Sequence, residues 1–233
     1  MTFVLIPGAG GEAWYWHRAV AELEKRGHDV VAVDLPAADD GAGWAEYVDA
    51  VVAAARDADD IVLVAQSMGG FTGPLACDRL PVRLLVLLNA MIPVPGETGG
   101  AWWENTGQSK AYAESAAAQG RVVGDGIDVM VDFFHDVPDD VVAAATERGD
   151  PDQSMTPFTQ PWPADRWPDV PTRVLVGRDD RLFPLEFQRR VARERLGIEI
   201  DEVPGGHLIA LSRPAELADR LEAYLREPAF RPS

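Results

Sequence analysis

The sequence predicts an α/β protein: a mostly parallel, six-stranded sheet flanked by helices, with one inserted helical segment. Three observations carry this. Short, continuously apolar runs alternate with stretches of helical period, the pattern of strands buried on both faces. Gly-rich turns follow several of those runs. The alternation lapses over residues 92–167 and then resumes.

The elements follow in order. Thr2–Ile6 is the first strand and runs into Pro7-Gly8-Ala9-Gly10-Gly11. A helix is expected over about Ala13–Arg26, with Trp16, Val20 and Leu23 on one face and Gly27 as its stop. His28–Val33 is the second strand, and Asp34–Gly43 a polar loop. Trp44, Val48, Val51, Val52 and Ala55 then share one helical face. Ile61–Ala65 is the third strand, and Gln66-Ser67-Met68-Gly69-Gly70 turns from it into another helix. Pro81–Leu88 is the fourth strand. Residues 92–167 are rich in Pro, Gly and Trp, with helical patches near 109–119 and 139–147. His135-Asp136, before the Pro138-Asp139-Asp140 turn, reads as a helix boundary with no catalytic role. Thr172–Val176, a helix over Pro184–Leu196 stopped by Gly197, the strand Ile198–Val203 and a helix from about Ser212–Pro214 complete the chain. Residues 1–91 and 168–233 are thus the two parts of one core, with 92–167 inserted between them.

Composition narrows the function. The 233 residues include 21 Lys plus Arg against 38 Asp plus Glu, a net charge of −17, so no basic surplus exists to neutralise nucleic acid or an anionic lipid surface. The hydrophobic fraction of 47% is that of a folded globular chain, so the acidity does not signal disorder. The single Cys77 rules out an intrachain disulfide and a thiolate cluster, and His17, His28, His135 and His207 lack metal-ligand spacing. No apolar run reaches the roughly 18–20 residues of a membrane span; the best, near 82–95, contains Arg83 and Asn89. The chain meets its first strand without a basic leader. The expectation is a soluble cytoplasmic protein, monomer or homodimer, with no nucleic-acid or membrane partner and no metal or organic cofactor.

In open α/β sheets, sites gather at the carboxyl ends of strands. A serine, an acid and a histidine follow successive strands there, in that order: Ser67, then Asp179-Asp180, then His207. Ala65-Gln66-Ser67-Met68-Gly69 has small residues two before and two after the serine, as a sharp strand–turn–helix elbow requires. Serine needs a base to accept its proton. Only His207 is well placed: His17 lies in the first helix, His28 at the wrong end of a strand, and His135 in the insertion. The carboxylate that orients the imidazole is Asp180 by preference, with Asp179 as alternative and Asp34 as an outside candidate. The backbone N–H groups of Met68 and Ala9 are the candidate oxyanion donors. A phosphate loop is the rival reading of residues 8–13, but position 13 is Ala and no Walker lysine follows.

These residues resemble the α/β-hydrolase superfamily over essentially the whole chain, and within it the small-cap branch of plant methylesterases, hydroxynitrile lyases and related bacterial esterases. FVLIPGAGGEAWYW resembles that branch's first strand and oxyanion loop, QSMGG its nucleophile elbow, GRDDRLFP its acid loop and PGGHLIALSRP its histidine loop. The resemblance makes 92–167 the cap, with Trp102, Trp103, Phe133 and Phe134 as candidate pocket linings; packing within the cap is the alternative role for each. Two departures stand out. Pro7-Gly8 replaces the family's His-Gly, and Ala65 replaces the first elbow glycine. Gly8 and Leu208 occupy the places where the lyases carry threonine and lysine, which turns the reading away from cyanohydrin cleavage.

The expected function is therefore a carboxylesterase acting on a small, largely apolar ester through an acyl-enzyme. Ser67, Asp180 and His207 are catalytic. Ala9 and Met68 form the oxyanion hole, and Gly8, Trp103, Phe134 and Leu208 border the substrate. The same triad also serves C–C bond, lactone and thioester hydrolysis, and a non-catalytic ligand binder can share the fold.

Overall fold

The computed structural model describes residues 1–122, 124 and 126–227; the insertion 92–167 therefore includes two positions, 123 and 125, outside the described residues. The elements run β1 (Thr2–Ile6), a 3-10 turn (Ala13–Trp16), α1 (His17–Lys25), β2 (Asp29–Ala32), α2 (Trp44–Ala54), β3 (Ile61–Gln66), α3 (Gly69–Ala76) and β4 (Val82–Leu88). Then come α4 (Gly99–Thr106), α5 (Gln108–Ala118), α6 (Val129–Asp132), α7 (Asp139–Arg148) and α8 (Thr156–Thr159). β5 (Thr172–Gly177), α9 (Leu185–Leu196), β6 (Ile200–Val203), α10 (Ile209–Ser212) and α11 (Pro214–Arg226) follow.

The six strands form one sheet in the order β2-β1-β3-β4-β5-β6, and every pairing is parallel. The sequence led us to expect a mostly parallel sheet; among the described strands it is wholly so. Strand alternation sends side chains to two separate cores. Val4, Ile6, Leu63, Ala65, Leu85, Leu87, Val174 and Val176 face α2, α3 and α9. Phe3, Leu5, Val62, Val64, Leu84, Val86, Leu88 and Leu175 face α1 and α11. Both faces are covered, which is why the strands read as unbroken apolar runs rather than as alternating ones.

Helix ends follow local chemistry. Gly27 (φ 89°) and Gly197 (φ 66°) take the left-handed conformation that stops α1 and α9, a conformation other residues adopt only at a cost. Four helices were not anticipated. Gly99–Thr106 opens on a Gly pair, yet Thr98 Oγ1 caps it by accepting from Ala101 N–H at 3.0 Å, and fully buried Trp102 holds it down. The other three, α6, α8 and α10, have four residues each, too few for a periodic signal. At the base of the insertion, Arg195 on α9 donates to Glu97 Oε1 at 2.9 Å, a nearly buried pair that ties the segment to the core.

The chain leaves β1 for β2 on one side and reaches β3 on the other, so the strand order reverses between β1 and β3. A crevice opens at the carboxyl ends of such a pair. Ile6 pairs with Ala65 there, and the two loops that follow them are brought side by side.

Candidate active site

Ser67 sits in the turn between β3 and α3 with φ 53°, a left-handed conformation that a non-glycine residue holds only when its surroundings enforce it. The surroundings do. Ser67 N–H donates to Leu88 O at 3.2 Å, and Ser67 O accepts from Gly70 N–H and Met91 N–H at 3.0 and 2.9 Å. Space around the turn excludes side chains: a Cβ on Gly69 would lie 2.7 Å from Pro7 O, and one on Gly70 would lie 1.9 Å from Met91 O. Gly8 is equally constrained, because a Cβ there would lie 2.8 Å from Ser67 Cβ. The first loop is therefore packed directly on the serine. Its turn bond runs from Gly11 N–H to Gly8 O, and the elbow's from Gly70 N–H to Ser67 O; neither uses the N–H of Ala9 or Met68.

His207 is fully buried, in the loop between β6 and α10. Its Nδ1–H donates to Asp180 Oδ2 at 2.8 Å. Because a carboxylate only accepts, a proton lies on Nδ1, and in the neutral imidazole Nε2 then carries the lone pair. Nε2 is buried and has no hydrogen-bond partner among the described residues, Ser67 included. Such bonds commonly tighten only once substrate is in place. Phe133 and Phe183 pack edge-on against the imidazole at 4.9 and 5.2 Å between centroids, fixing its plane. The His207 carbonyl accepts from Gln66 Nε2 and from Asn89 Nδ2, each at 3.1 Å.

The structure separates the two adjacent aspartates. Asp180 is buried, and its Oδ1 accepts from Leu182 N–H and Phe183 N–H, both at 2.9 Å, leaving Oδ2 for the imidazole. Asp179 is exposed and accepts from Gly205 N–H at 3.2 Å. Asp34 accepts from Ala13 N–H at 2.7 Å and takes no part. Of the remaining histidines, His17 bonds Trp14 O and His28 bonds Glu222. His135 lies against Gly206, where burial, followed by the charge of Arg181, pulls its pKa down.

Above this edge lies a cavity of about 710 Å³, within the size range of small-molecule pockets. Gly8, Ala9, Ser67, Met68, Trp103, Phe134, His207 and Leu208 all line it, as does Phe133. Trp102 does not: it is fully buried in the core with its indole N–H donating to Ile92 O at 3.1 Å, which corrects its candidacy as a pocket wall. One position along a helix turns a side chain by about 100°, so Trp102 and Trp103 face different surroundings.

Several contributors were missed from sequence. Tyr15, Met130 and Phe158 line the cavity. Burial, with Glu12 and Asp150 nearby, pushes the Tyr15 phenol up, so it is a neutral hydroxyl at pH 7. Asn89 (φ 45°) ties three strand ends together, donating to Gly206 O and His207 O and accepting from Gly177 N–H at 2.7 Å. Its position directly after β4, at the sheet's carboxyl edge, was the available signal.

Comparison with known proteins agrees with this fold. A family model described as Alpha/beta hydrolase family matches residues 3–220. A protein of Oryza sativa subsp. indica named "Probable esterase PIR7A" is 29% identical, with 94% of each chain covered. Methylesterase 7 of Arabidopsis thaliana is 26% identical, with 92% of each covered. Among solved structures, polyneuridine aldehyde esterase superposes with a TM-score of 0.75 at 22% identity, covering 96% of this chain and 98% of that one. A pyrethroid hydrolase from Sphingobium faniae JZ-2 also has a TM-score of 0.75, at 23% identity and 99% of each chain, so both share the fold. With its parallel sheet, its strained elbow and a family match over nearly its whole length, the chain belongs to the alpha/beta hydrolase family.

Proposed function

We propose that the protein is a serine carboxylesterase that cleaves a small, largely apolar ester through an acyl-enzyme. The observation that carries this is the His207–Asp180 bond: it selects the tautomer of the neutral imidazole in which Nε2 is the basic nitrogen, beside the cavity that Ser67 also lines. Ser67 Oγ attacks the ester carbonyl as His207 Nε2 takes its proton. The imidazolium is stabilised by Asp180, whose charge is spread over three donors at 2.8–2.9 Å. The N–H groups of Ala9 and Met68 receive the oxyanion, stabilisation worth about 3–4 kcal/mol per donor in comparable hydrolases. His207 then protonates the leaving alcohol, and water, deprotonated by the same nitrogen, releases the acid.

The polar groups at the reacting end and the aromatic walls of Trp103, Phe133 and Phe134 suit an ester with an apolar body. The net charge of −17 disfavours an anionic substrate and favours departure of a carboxylate product. Residues 92–167 are the cap in this reading. A cytoplasmic location belongs to the same proposal; among the described residues no helix is long and apolar enough to cross a membrane.

The test is a panel of nitrophenyl and methyl esters together with fluorophosphonate labelling. Turnover that is lost in Ser67→Ala, with the label on Ser67, is the expected result. A folded wild-type protein that neither turns over an ester nor takes the label overturns the proposal.

A further inference from the structure

Two side chains of the inserted segment reach back to the loops that carry the site. Asp136 Oδ2 accepts from the N–H of Gly206, the residue before His207, at 2.8 Å. Gln153 Oε1 accepts from the N–H of Gly10, the residue after Ala9, also at 2.8 Å. Each bond thus grips the peptide unit adjoining one catalytic group.

Both grips are close, and that of Gln153 is braced from behind. A Cβ on Gly206 would lie 2.7 Å from Asp136 Oδ1 and 2.6 Å from His135 Nε2, and one on Gly10 would lie 2.6 Å from Pro151 Cγ. Gln153 Nε2 donates to Ser154 O at 2.8 Å and to the hydroxyl of buried Tyr47 at 3.1 Å, while Ser154 N–H donates to Ala37 O at 2.7 Å. The side chain is therefore anchored to the core on one side and holds the first loop on the other. The gripped loops are intrinsically permissive, since Gly10, Gly11 and Gly205 all have positive φ. Catalytic donors and bases tolerate little displacement, and a shift of about 1 Å costs about a hundredfold in rate.

We infer that Asp136 and Gln153 are positioning residues: the insertion, besides roofing the pocket, sets the backbone that presents His207 and the Ala9 N–H. This rests on the roles proposed above for Ser67, His207 and Ala9. It also revises the reading of His135-Asp136 as a mere helix boundary.

The experiment compares Asp136→Ala, Asp136→Asn, Gln153→Ala and Gln153→Glu in the full chain, by steady-state kinetics on an ester the wild type cleaves and by the rate of fluorophosphonate labelling. Asp136→Leu and Gln153→Met, of similar size but without an acceptor, stand in for any alanine variant that does not fold. The variants without an acceptor are expected to lose about ten- to a hundredfold in kcat and in labelling rate with KM little changed. Asp136→Asn keeps an acceptor oxygen and is expected to retain most of the wild-type rate, whereas Gln153→Glu keeps the acceptor but loses the Nε2 donor to Ser154 O, so its rate is expected to fall between those of the wild type and Gln153→Ala. Folded acceptor-less variants with wild-type kcat, or with KM raised and kcat unchanged, overturn the inference and leave the esterase reading standing. A wild type that is neither active nor labelled overturns both.

Discussion

Gly73 on α3 leaves room for Ala65 at the end of β3: a Cβ on Gly73 would lie 2.8 Å from the Ala65 Cβ and 3.4 Å from Leu85 Cδ1. The elbow's departure from glycine at position 65 is thus accommodated one turn into the helix rather than at the serine. Strand and helix still approach closely, with the side chain absent on the helix and not on the strand.

Gly73→Ala is therefore expected to destabilise the protein by about 1–3 kcal/mol, although alanine is the better helix former. Two Cβ atoms fixed to backbone cannot rotate apart. Ala65→Gly added to it should recover much of the loss. Urea denaturation of the two single variants and the double variant measures the coupling.

The adjacent aspartates should separate in activity. Asp180→Asn removes the group that holds the His207 tautomer, and a loss of about 10⁴ in kcat is expected on the serine-protease precedent. Asp179→Asn keeps an acceptor for the part-buried bond from Gly205 N–H and should stay close to wild type. Comparing kcat for the two variants, with thermal unfolding as the fold control, decides it.

Cys77 should be inert while the chain is folded. Burial, together with the charge of Asp78, pushes its thiol up to about 12, so almost none is thiolate at pH 8. Ellman's reagent is expected to react slowly with the native protein and at once in guanidinium. Fast native labelling would show that α3 opens locally.

Acid should weaken the α1–α11 junction. Glu222 on α11 accepts from His28 Nε2 at 2.9 Å and from Arg26 Nη1 at 3.2 Å, and these bonds hold its carboxyl below the usual range. A carboxylate lowered on folding stabilises the native state above its unfolded pKa, near 4.5, and that contribution is lost as pH falls through the lowered folded value. Glu222→Gln should lower the melting temperature at pH 7, and the difference should shrink on titration below pH 4.5. A difference that does not vary with pH would contradict this account.

The sequence by itself determined the sheet and the candidate catalytic edge, because those signals are local. A strand covered on both faces reads as a near-continuous apolar run, so residues 61–65 and 84–88 are legible without knowing what covers them. A sharp elbow demands small neighbours within two residues of Ser67, and chain order then leaves His207 as the one well-placed base.

Tertiary structure alone decided the rest. Asp179 and Asp180 are chemically the same, and the N–H groups of Leu182 and Phe183, together with His207 Nδ1, hold Asp180 inward. Trp102 and Trp103 are adjacent in sequence, and helix α4, itself held by burial, sends one to the core and the other to the pocket. The bonds from Gln153 to Gly10 and from Asp136 to Gly206 span 143 and 70 residues. Contacts of that range leave no periodicity or spacing in the chain, since they depend on how separate elements pack and not on any one element's own residues.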